Sequence, residues 1–343
     1  MNTNKYIPKN CVWELTLKCN MSCLHCGSRA GKERKNELSC EEALTLADEL
    51  IDLGCEYVTL IGGEVFLYNG WEKIARRFTD NGVVVNIITN GYLFNDKQVQ
   101  EVKYAGLSNI ALSIDGMKEQ HNTIRNNPKS FDHLIKTIDR LNQENIKIGV
   151  NTTLIDSNVA DLEDLYNFFL ENNVQIWQLQ LANPMGNFSD RREQMISIEN
   201  IKKVTSFIKQ KRDEGKMRIY TGDNIGYYDE NERFIRGNPG DINYWAGCHA
   251  GLSVVGIDSV GNVKGCESLY DDIFIEGNIR DESFSNIWFK EDNFAYNRQF
   301  DKSLLSGKCK DCDMGAYCRA GCRGACYFTN GNYFENAYCV YNE

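Results

Sequence analysis

The sequence lacks a long apolar run, an excess of positive charge and, across its middle, any cysteine. No stretch is long and apolar enough for a signal peptide or a membrane span, so we expect a cytoplasmic protein without a membrane anchor. The formal net charge of −10 argues against a sequence-independent grip on nucleic acid, which needs a basic surface to neutralise phosphates. These absences leave enzymes and binding proteins of the cytoplasm as the candidate classes.

Cysteine is abundant outside this gap. The chain of 343 residues has 14 cysteines, which lie either before residue 56 or from Cys248 onward. In a reducing compartment they are not expected to form a disulfide framework, and disulfides would have no reason to leave the middle of the chain empty. Two separate regions of metal or cluster ligation explain the distribution better. The length also favours one large domain plus a smaller one.

The first part of the chain alternates β-rich runs with amphipathic helical stretches. The predicted strands are Trp13–Leu17, Tyr57–Ile61, Val83–Thr89, Asn109–Ile114, Ile148–Leu154 and Ile176–Leu181. Ser39 and Glu42 form a capping box at the start of the first helix, and Phe131–Leu141 repeats the helical pattern. Six strands alternating with helices predict parallel βαβ units in an α/β fold, arranged as a partial, TIM-like (β/α)6 barrel.

The second half of the sequence is less regular. A helix near Ser197–Lys211 and a short strand at Met217–Tyr220 are predicted within a polar connecting stretch. From Trp245 onward little regular structure is expected, apart from an apparent β-hairpin in LSVVGIDSVGNVKGC, so bound metal is expected to organise this region. The predicted divisions are a core barrel at 8–190, a connecting segment at 191–245 and a cysteine-rich region at 246–343.

Three cysteines, Cys19, Cys23 and Cys26, fall close together in LTLKCNMSCLHC, directly after the first predicted strand. A tetrahedral zinc site needs four ligands, and His25 is poorly placed as the fourth because it is adjacent to Cys26. A 4Fe–4S cube held by three thiolates leaves one iron open to a small chelating ligand. The run therefore favours a catalytic cluster over zinc.

This C-x3-C-x2-C spacing after a first strand resembles the signature of radical S-adenosylmethionine (SAM) enzymes. The resemblance implies that Cys19, Cys23 and Cys26 hold a core 4Fe–4S cluster whose open iron binds SAM through its amino and carboxylate groups. It further implies reductive cleavage of SAM to a 5′-deoxyadenosyl radical that abstracts hydrogen from the substrate, with the protein positioning the cofactor. A reductant such as flavodoxin or ferredoxin is the expected electron donor.

Other segments resemble the same family in the expected order. Gly62, Gly63 and Glu64 follow the second strand, where the family contacts the methionine amino group of SAM. Glycines permit close backbone approach, and a carboxylate can accept from an ammonium. The further SAM contacts that the resemblance implies are Ser113 in NIALSIDG, Arg125 near the SAM carboxylate, His25 near the adenine and Asn151 in the pocket wall. For these polar residues the alternative is a satisfied hydrogen bond or a solvated position.

The C-terminal cysteines resemble the seven-cysteine SPASM motif, in which auxiliary iron–sulfur clusters are held. The matching positions are Cys248, Cys266, Cys309, Cys312, Cys318, Cys322 and Cys339. By analogy, one fully ligated auxiliary 4Fe–4S cluster is held by Cys309, Cys312, Cys318 and Cys339. The other is held by Cys248, Cys266 and Cys322, and its fourth ligand stays open. Zinc knuckles and a ferredoxin-like electron module are the alternatives for this region.

Two further residues are candidate catalytic groups. Glu267 stands where sulfatase maturases carry an acidic residue proposed as a base, although a surface charge is the alternative. Cys326 could complete the auxiliary cluster with three thiols, donate a hydrogen atom to a substrate radical, or pack in the interior. Cys11, Cys40 and Cys55 are expected to be structural.

SPASM members of the radical SAM family mostly modify peptides or proteins. The leading hypothesis is therefore maturation of a ribosomally made peptide by a crosslink, an oxidation or an epimerisation, and the sequence is similar in character to the mycofactocin maturase. A separate leader-recognition protein is an expected partner, because the cluster begins so near the N-terminus. The alternatives are an oxidase of the sulfatase-maturase type, a tetrapyrrole side-chain modifying enzyme and a non-enzymatic iron–sulfur electron-transfer protein.

Overall fold

The computed structural model describes residues 6–222, 224–238 and 240–341. Residues 1–5, 223, 239, 342 and 343 lie outside this part. The strands are β1 Asn10–Glu14, β2 Tyr57–Ile61, β3 Val84–Thr89, β4 Asn109–Ser113, β5 Lys147–Leu154, β6 Val174–Leu181, β7 Arg218–Thr221, β8 Val254–Ile257, β9 Asn262–Lys264 and β10 Gly277–Asn278. The α-helices are α1 Cys40–Asp52, α2 Trp71–Asp80, α3 Asp96–Tyr104, α4 Lys118–Arg125, α5 Ser130–Gln143, α6 Leu162–Glu171, α7 Ile198–Glu214, α8 Glu232–Ile235, α9 Phe284–Phe289, α10 Ala295–Arg298, α11 Gly315–Cys318 and α12 Arg323–Asn330.

The strands form one open sheet. Its order among the described residues is β10-β9-β8-β1-β2-β3-β4-β5-β6-β7. The strands from β1 to β7 are parallel to their neighbours, with helices between them. Parallel strands joined by helical crossovers curve into a barrel wall, and this wall ends at β7 without closing. The predicted α/β partial barrel is confirmed.

The local signals at the first helix are confirmed as well. Ser39 caps α1 by accepting from the Glu42 backbone N–H at 3.2 Å, and the Glu42 carboxylate accepts from the Ser39 N–H at 2.8 Å. Such a reciprocal cap satisfies two donors that the first helical turn would otherwise leave free. The apolar face then buries Leu46 and Leu50 against the sheet. Glu42 also binds Arg280 at 2.6 Å, so the same side chain ties the helix to the C-terminal region.

The first strand differs from its predicted position. The pattern predicted Trp13–Leu17, whereas β1 is Asn10–Glu14. After Glu14 the chain soon leaves the sheet, because the carbonyls of Thr16 and Lys18 bind the loop that follows β2 at 2.7 and 2.8 Å. The apolar residues at 15 and 17 therefore belong to the start of a loop, which sequence periodicity does not distinguish from a strand.

The predicted C-terminal hairpin is present as β8 and β9, but its place was not foreseen. β8 pairs in parallel with β1, with Asn10 opposite Val254 and Cys11 opposite Val255. β9 and β10 extend the same sheet with antiparallel pairing. The hairpin therefore extends the barrel wall, and the rest of the region has short helices, α9 to α12, of 4 to 8 residues.

The apolar interior lies between the sheet and its helices. One large cluster includes Trp13, Trp71 and Trp177, and it extends to Trp288 from the C-terminal region. A smaller cluster surrounds Trp245 and contains aromatic side chains beside several cysteines. Within the described residues, no helix has the length and apolar character that crossing a bilayer requires.

Candidate functional site

The three N-terminal thiols lie in a loop at the carboxyl ends of the first strands. A backbone donor reaches the sulfur of Cys19, from Met21 at 3.4 Å, and another reaches Cys26, from Ala30 at 3.4 Å. The guanidinium of Arg125 lies 3.7 Å from the sulfur of Cys23. Donors of this kind stabilise a thiolate. Burial raises the pKa of Cys19 to about 12, so this thiol keeps its proton unless a metal displaces it.

The Gly62–Gly63 turn packs closely against the backbone of residues 16–18, which precede Cys19. A methyl group on Gly62 would overlap the carbonyl oxygen of Thr16, and one on Gly63 would overlap that of Lys18. The Gly63 N–H also donates to the Thr16 carbonyl at 2.7 Å. Only glycine permits this approach of two backbones. The turn therefore positions the cysteine loop, and Gly62 also lines the cavity described below.

Replacing Gly63 with alanine should displace the cysteine loop. The new methyl group would overlap the Lys18 carbonyl oxygen and lie 2.6 Å from the Leu17 oxygen. We therefore expect most chains to lose the core cluster, which holds about four iron atoms per chain. The matched control is Gly31→Ala, because Gly31 bonds to the same segment but has open space around its Cα. Iron content after anaerobic reconstitution measures the difference, and equal iron in both variants would contradict the positioning role.

Glu64 is buried and hydrogen-bonded to residues at the end of β3. Its side chain is 1% exposed; its carboxylate accepts from the Thr89 hydroxyl at 2.7 Å and from the Asn90 backbone N–H at 2.9 Å. Glu64 is absent from the cavity wall, although Gly62 is part of it. Protein donors at the end of β3 thus bind each oxygen of this carboxylate once, and the predicted contact between Glu64 and SAM stays a prediction. Asn90 in turn donates to Asn20 at 2.8 Å, which links this anchor to the cysteine loop.

A buried carboxylate, Asp115, organises the side chains beyond β4. It is 0% exposed and lies 2.5 Å from the Arg125 guanidinium and 2.9 Å from His25 Nε2, while its other oxygen accepts from the Thr153 N–H at 2.9 Å. Burial opposes its ionisation, but Arg125 and His25 hold the pKa of Asp115 well below its usual range. A carboxylate thus fixes the guanidinium against Cys23.

His121 holds the backbone of Asp115 in place through a hydrogen bond. Its Nδ1 accepts from the Asp115 backbone N–H at 3.2 Å, and its Nε2 bonds to the Ser130 hydroxyl at 2.9 Å. Burial lowers the pKa of His121 to about 3, so the ring is neutral at physiological pH and accepts at Nδ1.

A cavity of about 700 Å3 runs from the cysteine loop into the barrel. Of the predicted SAM contacts, the lining residues are Gly62, His25, Ser113 and Arg125. Asn151 lies on β5 two residues before Thr153, which lines the cavity. Because side chains alternate along a strand, both residues are on the inner face of the sheet. His25 is nearly buried through its bond to Asp115, which excludes the surface position considered for it.

The same cavity is bounded by C-terminal thiols. Cys248, Cys266 and Cys322 line it together with Cys26. These four residues come from the two ends of the chain, and the C-terminal hairpin brings Cys266 to the barrel mouth. The structure therefore places three C-terminal thiols on the wall of the same cavity as Cys26.

The remaining SPASM cysteines form a second group. Cys309, Cys312, Cys318 and Cys339 line one small, apolar recess, with Tyr227 in its wall. The division into a group of three thiols and a group of four matches the grouping that the resemblance implied.

Glu267 and Cys326 do not line the cavity. Glu267 is 6% exposed and lies 3.1 Å from Lys264 Nζ, and burial raises the pKa of its carboxyl despite that ammonium. Cys326 is 0% exposed, and its thiol donates to the Ala320 carbonyl at 3.0 Å. Glu267 is therefore not the surface charge considered for it, and its role as a base stays a prediction. The burial of Cys326 fits the interior packing considered for it, and its other two roles stay predictions.

Sequence reasoning missed Asp115 and the segment after β6. Asp115 lies two residues from Ser113 in the quoted SIDG, so an acidic residue just after a buried strand was the available signal. In the second case, the Asn187 N–H donates to the Cys26 carbonyl at 2.8 Å and its side chain to the Cys23 carbonyl at 3.0 Å. No sequence signal marked Asn187, because its partners lie far away in the chain.

Buried donors without acceptors lie around both thiol regions. Within the described residues, they include Nδ2 of Asn20 and Nε of Arg125 near the core thiols, and Nε1 of Trp245, the hydroxyl of Tyr296, Nη2 of Arg298 and Nη2 of Arg323 in the C-terminal region. Buried polar groups are rarely left without partners, and cluster sulfurs or SAM would supply acceptors here. No three His, Cys, Asp or Glu side chains of the described part converge on a single-ion site.

Comparison with known proteins agrees with this geometry. Residues 13–169 match the Radical SAM superfamily and residues 248–313 match SPASM, an iron–sulfur cluster-binding domain. The AdoMet-dependent heme synthase of Methanosarcina barkeri is 28% identical, over 97% of this chain and 97% of that protein. Mycofactocin maturase MftC of Mycolicibacterium smegmatis is 26% identical, over 93% of this chain and 79% of that protein.

Solved structures show the same fold. SuiB of Streptococcus suis bound to S-adenosylmethionine has a TM-score of 0.77 at 16% identity, covering 97% of this chain and 77% of SuiB. The protein anSMEcpe with bound AdoMet has a TM-score of 0.72 at 16% identity, covering 97% of this chain and 94% of that one. Both family models are matched in order, so residues 13–169 are a radical SAM region and residues 248–313 are a SPASM region, and the chain is an enzyme whose cofactors are SAM and 4Fe–4S clusters.

Proposed function

We propose that this enzyme matures a ribosomally synthesised peptide by introducing a crosslink, an oxidation or an epimerisation. The observation that carries the proposal is the single cavity with Cys26 on one wall and Cys248, Cys266 and Cys322 on another. A substrate held there lies between the site of hydrogen abstraction and an auxiliary cluster. When bound, SAM and the core cluster supply the chemistry of hydrogen abstraction.

The residue roles follow from the grouping of thiols. Cys19, Cys23 and Cys26 would hold the core cluster, with Arg125 and Asp115 fixing one side of it. Of the auxiliary clusters, one would be held by Cys248, Cys266 and Cys322, and the other by Cys309, Cys312, Cys318 and Cys339. Ser113, His25 and Asn151 would line the SAM pocket. The divisions at 8–190, 191–245 and 246–343 stay predictions.

The chemistry of the cavity wall supports a peptide. Its barrel side offers amide and hydroxyl groups, including Gln178, Gln180, Asn224 and Tyr220. These groups can donate to and accept from peptide amides. Among the described residues that line the cavity there is no lysine, and Arg125 is the single arginine. Its guanidinium already forms an ion pair with Asp115. A tetrapyrrole with several carboxylate side chains would have to leave most of its negative charges without cationic partners.

Modification of a tetrapyrrole side chain is the second candidate. It is supported by the similarity to the AdoMet-dependent heme synthase, which extends over 97% of both chains. An oxidase of the sulfatase-maturase type has less support, because Glu267, its expected acidic residue, pairs with Lys264 away from the cavity. A separate leader-recognition protein and a flavodoxin or ferredoxin as reductant are proposed partners, and a cytoplasmic location stays a prediction.

The experiment offers both substrate classes to the same enzyme. Anaerobically reconstituted, chemically reduced enzyme is incubated with SAM and either the peptide encoded by a short reading frame beside its gene or a tetrapyrrole with acetate and propionate side chains. We expect a mass change in the peptide by tandem mass spectrometry, together with substrate-dependent 5′-deoxyadenosine. The Cys23→Ala variant is the control and should give neither product. Conversion of the tetrapyrrole, with the peptide unchanged, would overturn the peptide proposal in favour of the second candidate.

A further inference from the structure

The hydroxyl group of Tyr296 is buried; its oxygen can accept from the Gly265 backbone N–H, but its hydrogen has no acceptor within the described part of the chain. Leaving a buried polar group unpaired costs about 1–3 kcal/mol, so a native structure normally supplies a partner. Tyr296 lies on α10 and is not part of the cavity wall, and none of the residue roles proposed for the clusters or SAM involves it. Its position raises the question of which acceptor the hydroxyl meets.

The hydroxyl lies against Gly265, the residue before Cys266, where this segment passes close to the one that follows Cys248. A methyl group on Gly265, the residue before Cys266, would overlap the hydroxyl oxygen. The same methyl group would lie 3.0 Å from the Gly251 nitrogen and 3.1 Å from the Ala250 carbonyl carbon, just beyond Cys248. Glycine at position 265 therefore leaves room for the phenol beside both cysteine segments.

The neighbours of Tyr296 hold it there. Asn297 donates to the Ala250 carbonyl at 2.7 Å, and Arg298 donates to the Gly251 carbonyl at 2.8 Å. The phenol ring also packs edge-on against Phe274, with ring centroids 5.8 Å apart. Bonds on one side of the residue and ring packing on the other fix the direction of the hydroxyl. A rigidly aimed donor without an acceptor indicates that the acceptor belongs to a bound group.

We propose that the Tyr296 hydroxyl donates a hydrogen bond to a sulfur atom of the auxiliary cluster held by Cys248, Cys266 and Cys322, and thereby raises its reduction potential. This inference rests on the proposed assignment of those three thiols. A phenol is neutral and keeps its hydrogen at physiological pH. Reduction adds negative charge to the cluster, and a donor to sulfur stabilises that charge, so hydrogen bonds of this kind set the potential.

The test is a redox titration of the reconstituted Tyr296→Phe enzyme, followed by electron paramagnetic resonance. The substitution removes one oxygen atom and keeps the ring. We expect unchanged iron content and one cluster signal that titrates at a more negative potential than in the wild type, with the other signals unshifted. The matched control is Tyr333→Phe, from the same aromatic group, with its ring 6.4 Å from that of Tyr296. Its potentials should equal those of the wild type.

The Cys266→Ala variant distinguishes the two levels of the inference. If it loses about four iron atoms and the signal that Tyr296→Phe shifts, both the thiol assignment and the hydrogen bond are supported. If it loses that iron but Tyr296→Phe shifts no signal, the hydrogen bond is wrong and the assignment stands. If its iron content is unchanged, the assignment itself is wrong. Loss of iron from Tyr296→Phe would make Tyr296 a ligand and overturn its role as a donor.

Discussion

Replacement of Cys19, Cys23 and Cys26 together with alanine is expected to abolish reductive cleavage of SAM. Three 4Fe–4S cubes predict about twelve iron atoms per chain after anaerobic reconstitution, and the triple variant should hold about eight. The auxiliary thiols lie on other segments, so their clusters should survive. Iron and sulfide analysis measures the number of iron atoms, and the 5′-deoxyadenosine formed by the reduced enzyme measures SAM cleavage.

The matched control for this variant is Cys40→Ala. Cys40 is a half-buried thiol at the start of α1 whose sulfur lies 3.9 Å from the Gly70 carbonyl oxygen, outside both thiol groups. It should keep about twelve iron atoms and full SAM cleavage. Stoichiometric zinc with iron near zero in the wild-type protein would refute the cluster assignment as a whole.

Replacement of Asp115 with alanine is expected to cause the largest loss of stability. The change leaves the Arg125 guanidinium, which is 8% exposed, without its carboxylate in the interior. Removing one partner of a buried ion pair typically costs about 3–5 kcal/mol. Because Arg125 also lies against Cys23, the variant should reconstitute its core cluster poorly. Anaerobic urea unfolding followed by tryptophan fluorescence measures the first effect, and iron content measures the second.

An exposed ion pair provides the comparison. Asp132 lies 2.7 Å from Lys118, with both side chains about half exposed, and Asp132→Ala should lower the free energy of unfolding by about 0–1 kcal/mol. Similar losses for Asp115→Ala and Asp132→Ala would mean that the Asp115–Arg125 pair contributes no more than a surface contact.

The sequence predicted features that depend on local spacing. The capping box at Ser39, the strand Tyr57–Ile61 and the hairpin of β8 and β9 follow from periodicity and turn chemistry, which act over a few residues. The spacing of Cys19, Cys23 and Cys26 is equally local, because these three lie in one short loop. The barrel and the core thiols could be predicted in this way, whereas the grouping of the C-terminal thiols was implied by the resemblance to SPASM proteins.

Features that depend on distant neighbours were not predictable in the same way. Glu267 stands next to Cys266, which lines the cavity, yet its carboxylate meets Lys264 in the interior. Glu64 is part of a recognisable motif, but its contacts with Thr89 and Asn90 appear only when β2 and β3 are side by side. In both cases tertiary packing sets the direction of the side chain, which motif position alone does not predict.

The pairing of β1 with β8 determines when during synthesis the fold can be completed. β1 lies near the start of the chain, and its second neighbour begins only at Val254. A nascent chain that has not reached β8 presents one side of β1 without a partner, and such open edges tend to pair with other chains. Contacts between distant segments also form slowly. We therefore expect the growing polypeptide to depend on chaperones until β8, which begins at Val254, has been translated.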